Sequence, residues 1–496
     1  MPAKPLSILG ALLAAIAAPH IAQAHADTRA VTHGANPPAC PAGASGTQGS
    51  LSAERGAFAY RACAGTIAIA DETGAKAADL FYTAYLAAAQ GTTPRPIAFV
   101  WNGGPGADSR LLQFHALGPR TLKGEALSDN PDSPLAVADL VFVDPAGTGF
   151  SRAASDKAAE RLYSTTGDFA ATARFIRAFL KAQHREGSPV SLVGESFGTW
   201  RASGVAEALI DQGQPVAGIA LISGGIPMGE ERDRALMRAL TLPNRTATAL
   251  ALGKLDAALA ADPAAALAAS EDWARRVWYP ALAHPEALDD AARAKVVADL
   301  GRYTGLAPAR IDAMTLWVSP RDFRRGLLAG EGKTLGIFDM RRTDAAEDEK
   351  RGSAAILDFY RRQLGYAGGQ YAGIDVPALP VGEHWQYDQS PITKESLARA
   401  MAGEGPPSAS QPWVQHVLEK APESRVFVAT GLYDSLNGCA ANRQAAGDFP
   451  PALAARIAAH CYPGGHMMYE DPAASRQFVQ DLSAFISNPQ KRAKQD

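Results

Sequence analysis

The stretch from Val190 to Asp211 constrains the fold more tightly than any other part of the chain. The apolar run Val190-Ser191-Leu192-Val193 leads straight into Gly194-Glu195-Ser196-Phe197-Gly198, and a helical pattern follows over residues 199–211. A bare G-x-S-x-G arises by chance in long chains, but here it lies between a strand and a helix, the context in which it has a mechanical meaning. The two glycines let the backbone turn sharply. The hydroxyl of Ser196 is then exposed at the carboxyl end of a strand, beside the positive end of a helix dipole.

Apolar runs of strand length recur at residues 96–101, 139–143 and 219–222, each bounded by Gly, Pro or Asn, with a further helical pattern at 168–182. Strands alternating with helices specify a mostly parallel sheet. Ahead of them, residues 65–70 and 79–86 flank the turn Asp71-Glu72-Thr73-Gly74 and read as an antiparallel hairpin, after a Gly/Pro/Ala-rich leader through about residue 50. The texture changes over 227–421, where Ala-rich helical stretches such as 246–269 and 289–300 dominate; strand patterns resume at 425–430 and 456–462. A chain of 496 residues exceeds the usual size of one compact core. The expected class is therefore α/β: a central, mostly parallel sheet flanked by helices, built from residues 27–226 and 422–496, with a largely helical cap inserted at 227–421.

Composition removes several classes of function. Basic and acidic residues nearly balance, 48 against 51, for a net charge of −3 without any long Lys/Arg cluster, so the footprint of a nucleic-acid binder is missing. At the N-terminus Lys4 precedes the apolar run 6–18, and small residues flank cleavage points at Ala22-Gln23-Ala24 and Ala24-His25-Ala26. This reads as a signal peptide over 1–26 and places the mature protein in the periplasm or outside the cell. A stable membrane anchor is not expected, because the run is shorter than the roughly 20 residues needed to span a bilayer. The four cysteines, Cys40, Cys63, Cys439 and Cys461, suit two disulfides in an exported chain. Of the three pairings, Cys40 with Cys63 and Cys439 with Cys461 is favoured by closeness in sequence; four reduced, buried thiols are the alternative. No metal site is expected from the scattered histidines, and Gly332-Lys333-Thr334 lacks the earlier glycine of a phosphate-binding loop, so no cofactor is expected either. Trp273, Trp278, Tyr279 and Trp317 read first as core packing of the cap and second as lining of a cleft.

A serine hydroxyl needs a base to take its proton and a carboxylate to orient that base. Two loops after the late strands offer them: Thr430-Gly431-Leu432-Tyr433-Asp434 and Pro463-Gly464-Gly465-His466. Asp434 and His466 stand 32 residues apart, room for one βα unit, so both can end above the same sheet edge. Asp448 and His460 are the nearest rivals.

Two further motifs, Trp101-Asn102-Gly103-Gly104-Pro105-Gly106 and Val143-Asp144-Pro145-Ala146-Gly147-Thr148-Gly149-Phe150-Ser151, join the nucleophile turn and the late loops. Together they resemble the serine carboxypeptidases of the α/β-hydrolase superfamily, with similarity from about Tyr60 to Ile226 and from Val426 to Glu470. The resemblance implies Ser196, Asp434 and His466 as the triad, and the N–H groups of Gly104 and Phe197 as the oxyanion hole. It also implies Asn102 and Glu195 as the pair that holds the carboxylate of a peptide's free C-terminus. There are departures: Ala107 stands where many relatives have a Cys, Met467-Met468-Tyr469 replaces a common Val-Pro, and Thr199 and Trp200 replace small residues after the turn. The reaction expected is removal of C-terminal residues through an acyl-enzyme. An esterase or acyltransferase using the same triad is the alternative, and an inactive binding protein is the alternative from another class. Oligomeric state and side-chain preference are not legible.

Overall fold

The computed structural model describes residues 36–54, 56–89, 94–229, 233–343, 352–388 and 410–487. The leader at 1–26, read as a signal peptide, lies outside them. Twelve strands are formed among the described residues: β1 Ser45–Ala53, β2 Gly56–Ala70, β3 Lys76–Ala87, β4 Ile97–Trp101, β5 Arg120–Lys123, β6 Ala126–Asp129, β7 Asp139–Val143, β8 Arg152–Ala153, β9 Val190–Glu195, β10 Gly218–Ile222, β11 Arg425–Gly431 and β12 Ile457–Tyr462. The central sheet runs β1-β2-β3-β7-β4-β9-β10-β11-β12, with β8 on the side of β3, while β5 and β6 form a separate hairpin. The first three strands are antiparallel and meet β7 antiparallel; from β7 to β12 every pairing is parallel.

The parallel strands read as near-continuous apolar runs because both of their faces are covered. Alternate residues go to opposite layers, as the two-residue period of a strand requires. Phe99, Trp101, Val141, Leu192, Ile219, Leu221, Val426 and Val428 face one core, shared with the helices Thr165–Ala182, Gly198–Asp211 and Trp413–Lys420. Ala98, Val100, Phe142, Val193, Ala220, Ile222 and Phe427 face the other, shared with the helical turn Leu112–Leu117 and the helix Ser475–Ser487. The expected fold class is thus the observed one.

Three local expectations change. Residues 45–53, read as leader through about residue 50, form an edge strand on β2. The approach is so close that a side chain at Gly46 would lie 2.3 Å from the Ala62 carbonyl oxygen, and one at Gly49 would lie 2.6 Å from the Tyr60 ring. The helical stretch 246–269 is three helices, Leu242–Ala251, Ala257–Ala260 and Pro263–Trp273; Gly253 turns left-handed at φ 64°, and Asp256 and Asp262 cap the next two. The 227–421 stretch also divides. Residues from Ala239 to Met340 build their own apolar cluster around Trp278, against which Trp273, Tyr279 and Trp317 pack. Ile356 to Tyr371 pack instead on the sheet, as does Trp413–Lys420.

Both disulfides take the pairing favoured above, Cys40–Cys63 and Cys439–Cys461. The second ties the helix Cys439–Gly447, which follows the Asp434 loop, to β12, which precedes the His466 loop. Closing a loop with a sequence separation of 22 residues removes about 3 kcal/mol of chain entropy from the unfolded state. The double variant Cys439→Ser/Cys461→Ser is expected to lower the unfolding free energy in a urea titration by about that amount. An unchanged midpoint would show that this bond does not hold the late loops. No helix among the described residues is long and apolar enough to cross a membrane.

Candidate active site

Ser196 follows β9 with φ 58°, a left-handed conformation that costs a non-glycine residue about 1–2 kcal/mol. The surroundings enforce it. The Ser196 N–H donates to the Ile222 carbonyl at the end of β10 (2.9 Å), and its carbonyl accepts from the Thr199 N–H (3.0 Å) and hydroxyl (2.8 Å). Space is equally restricted: a side chain at Gly194 would lie 1.9 Å from the Gly198 carbonyl oxygen, so the motif's two glycines touch across the turn.

The loop after β4 lies against this turn. A side chain on Gly103 would fall 2.5 Å from the Phe197 nitrogen and 2.9 Å from the Ser196 Cβ, which is why glycine is needed there. Gly104, next to it, is left-handed at φ 102°. The loop is fastened from below. Trp101 Nε1 donates to the Gly198 carbonyl (3.0 Å), and Arg201, itself 2.6 Å from buried Asp168, donates through Nη1 to the Asn102 carbonyl (2.9 Å). The N–H groups of Gly104 and Phe197 therefore belong to segments that meet at Ser196, as an oxyanion hole requires.

Asp434 and His466 meet. Their side chains, 1% and 3% exposed, are joined by Nδ1 and Oδ2 at 2.9 Å. A carboxylate only accepts, so Nδ1 carries the hydrogen and Nε2 is the basic nitrogen. The remaining capacity of Asp434 is filled: Oδ1 accepts from the Leu436 N–H (2.8 Å) and Oδ2 also accepts from Asn437 Nδ2 (2.9 Å). His466 follows β12, three strands from β9, a lateral offset of about 14 Å at the usual strand spacing. Its loop must reach back across the sheet, and Ser223, after β10, anchors it. The Ser223 hydroxyl donates to the His466 carbonyl, while Asn437 Nδ2 reaches the Ser223 carbonyl (2.9 Å). Ser223 is followed by Gly224, at which a side chain would lie 3.0 Å from the Ser196 carbonyl oxygen. The two late loops are thus drawn to the neighbourhood of the nucleophile turn.

A clasp from the inserted region completes the arrangement and was not foreseen. The His466 N–H donates to the Phe338 carbonyl (2.6 Å) and the Phe338 ring lies 5.2 Å from the imidazole. The Met340 N–H donates to the Tyr433 carbonyl (3.0 Å), the Ser435 hydroxyl to the Ile337 carbonyl (2.5 Å), and Arg341 pairs with Asp471 (2.8 Å). Nothing in the sequence of 335–343 marks it as a contact between two loops a hundred residues downstream. The rivals lie elsewhere: His460 is on β12 and stacks with Tyr462, and Asp448 caps the helix Cys439–Gly447.

Glu195 and Asn102 are also together and almost inaccessible, 3% and 1% exposed. Burial pushes the Glu195 carboxyl up to about 7. Nearby His466, the hydroxyl of Tyr469 and the Asn102 amide oppose that rise, while Glu470 adds to it. Asn102 Oδ1 accepts from the Leu112 N–H (3.1 Å), whereas its Nδ2 is buried without a hydrogen-bond partner of good geometry. The Val143–Ser151 motif has a mainly architectural use. Its Asp144 accepts from the Ser109 N–H (2.9 Å) and hydroxyl (2.7 Å), fixing the segment that follows the glycine loop. Two aromatic side chains pack on the Phe197 ring, Trp200 at 5.6 Å, which the sequence marked as a departure after the turn, and Trp385 at 5.1 Å, which it did not flag.

The sequence matches the model of the serine carboxypeptidase family over residues 58–221, about a third of the chain. The comparison with curated proteins returns no match. Among solved structures, similarity extends to Kex1(delta)p, a prohormone-processing carboxypeptidase from Saccharomyces cerevisiae: 15% identity, 86% of this chain, 91% of that chain, TM-score 0.48. A proline iminopeptidase from Mycobacterium smegmatis gives 14% identity, 86% and 98% coverage and a TM-score of 0.32. A haloalkane dehalogenase variant from Bradyrhizobium elkanii gives 13%, 86% and 96%, and 0.35. The matched segment contains the glycine loop, the Val143–Ser151 motif and the nucleophile turn, and the sheet places all three on adjacent strands. The chain is therefore an α/β protein with a mostly parallel central sheet, and its residues 58–221 match the serine carboxypeptidase family.

Proposed function

We propose that this chain is an exported serine carboxypeptidase that removes C-terminal residues from peptides. Ser196 Oγ attacks the last peptide carbonyl as His466 Nε2 takes its proton, and Asp434 holds the imidazole in the tautomer that permits this. The tetrahedral oxyanion is met by the N–H groups of Gly104 and Phe197. Collapse breaks the C–N bond, the departing amine takes the proton from His466, and an acyl-Ser196 ester remains. Water, deprotonated by His466, then releases the shortened peptide. Residues 227–421 would supply the cap over this site, and their Phe338 clasp on His466 supports that division of the chain. Export accords with the two disulfides.

One observation favours a free C-terminus as the recognised feature: a buried glutamic acid immediately before Ser196, pushed up to about 7, beside the buried amide of Asn102. Two carboxylates about 4 Å apart repel by about 4 kcal/mol at the effective dielectric of a protein. Glu195 therefore binds a substrate carboxylate only when protonated, which holds below about pH 7 and is lost above it. Between pH 6 and pH 8 the protonated fraction falls about tenfold, so KM for a free-acid peptide is expected to rise about tenfold over that range. A flat profile would remove Glu195 from this role.

The function itself is tested with N-blocked dipeptides bearing free or amidated C-termini. Preference for the free acid is expected. Equal turnover of both, or of simple esters alone, would indicate an esterase or acyltransferase, and no turnover an inactive protein.

A further inference from the structure

Glu195 meets two side chains in the interior, the Tyr469 hydroxyl and the Asn102 amide. The Tyr469 hydroxyl donates to Oε2 at 2.6 Å, and both side chains are buried, Tyr469 being 2% exposed. Tyr469 is held neutral: its burial, the charge of Glu195 and that of Glu470 all raise its pKa well above the usual phenol value. It therefore always carries a hydrogen and always donates. With a donor fixed on Oε2, the proton that Glu195 acquires resides on Oε1.

From this we propose that Tyr469 is a positioning residue for recognition of the substrate's carboxylate, directing the Glu195 proton to Oε1. The inference rests on the carboxypeptidase reading above. In the complex, one substrate oxygen accepts from Glu195 Oε1–H and the other from the buried Asn102 Nδ2. The Asn102 amide lies near the Tyr469 hydroxyl as well as near Glu195, so the three side chains form one cluster behind the nucleophile.

The charged groups around the cluster are few. His466, itself paired with Asp434, favours the ionised form of Glu195, and Glu470 opposes it. Glu470 is tethered 2.6 Å from Nδ1 of His115, on the helical turn after the glycine loop. Tyr469 and Glu470 lie in the short helical turn Met468–Glu470, two residues beyond His466, so the loop that delivers the base also delivers the director of the binding carboxyl. Tyr469 stands in the segment where the sequence departs from a common Val-Pro.

Tyr469→Phe tests it, because the ring and its packing remain and only the hydroxyl is lost. Without that donor the ionised form of Glu195 loses a stabilising hydrogen bond. The pH at which KM for a free-acid peptide begins to rise is expected to move upward by on the order of one pH unit. With the proton free to sit on either oxygen, the free-acid to amide ratio of kcat/KM at pH 6 is expected to fall at least about fivefold, through KM more than kcat. An unchanged pH profile, or equal losses on both substrates, would overturn the proposal and leave Tyr469 a packing residue. Glu195→Gln, assayed in parallel, separates the two readings. If it leaves the KM profile of the free-acid peptide untouched, Glu195 is not the binding carboxyl and the function falls; if it abolishes the pH dependence while Tyr469→Phe changes nothing, only the inference about Tyr469 falls.

Discussion

Ser196→Ala is expected to lower kcat on a blocked, free-acid dipeptide by roughly 10⁵- to 10⁶-fold, the scale on which serine hydrolases lose turnover with their nucleophile. The loss should lie in kcat and leave KM within a few-fold, because the groups proposed to bind substrate, Asn102 and Glu195, are untouched. Folding should not suffer. Alanine removes one oxygen, and the left-handed turn is enforced by the Ile222 and Thr199 contacts to the Ser196 backbone and by the near-contact of Gly194 with Gly198. A steady-state assay decides the matter. Turnover within about tenfold of the parent would mean that another group attacks the substrate, since the oxyanion hole alone gives only about 10³- to 10⁴-fold over water.

Asp434→Asn is expected to lower kcat by about 10⁴-fold while leaving the backbone in place. The local hydrogen bonds specify how. At Oδ1 the carboxylate meets the Leu436 N–H, so the amide of an asparagine would place its oxygen there and its NH₂ at the position of Oδ2. That NH₂ would face His466 Nδ1 and force it to accept, moving the ring hydrogen to Nε2. The histidine then has no lone pair for the Ser196 proton. A loss below tenfold would show that Asp434 does not set the tautomer. The amide would also confront Asn437 Nδ2, so a modest fall in thermal stability is expected alongside.

These expectations rest on residues whose order along the chain was readable and on contacts that were not. Strand, sharp turn and helix around Ser196 are written locally, since glycine is required by contacts within a few residues. The parallel strands were legible because both faces are covered, which turns each into a short apolar run. Edge strand β1 was not: an outermost strand of Ser, Gly and Gln carries no apolar alternation, and its glycines are explained only by the Tyr60 ring and Ala62 carbonyl opposite. Asp434 and His466 were readable as loop residues after strands, and their meeting followed from strand order. The supports at Ser223, Asn437 and Phe338 were not, because they act through backbone carbonyls, to which sequence is nearly blind. Tyr469 was noticed only as a departure from pattern; that its hydroxyl reaches Glu195, 274 residues earlier, is a fact of tertiary packing.

The most direct test of the account is covalent capture of the nucleophile. A fluorophosphonate forms a stable phosphonyl ester with a serine that has been activated by a neighbouring base, and mass spectrometry of the digested protein locates it. One equivalent on the peptide containing Ser196 is predicted, with no labelling of Ser196→Ala and slow labelling of Asp434→Asn. Label on a different serine, or undiminished labelling of Ser196→Ala, would contradict it.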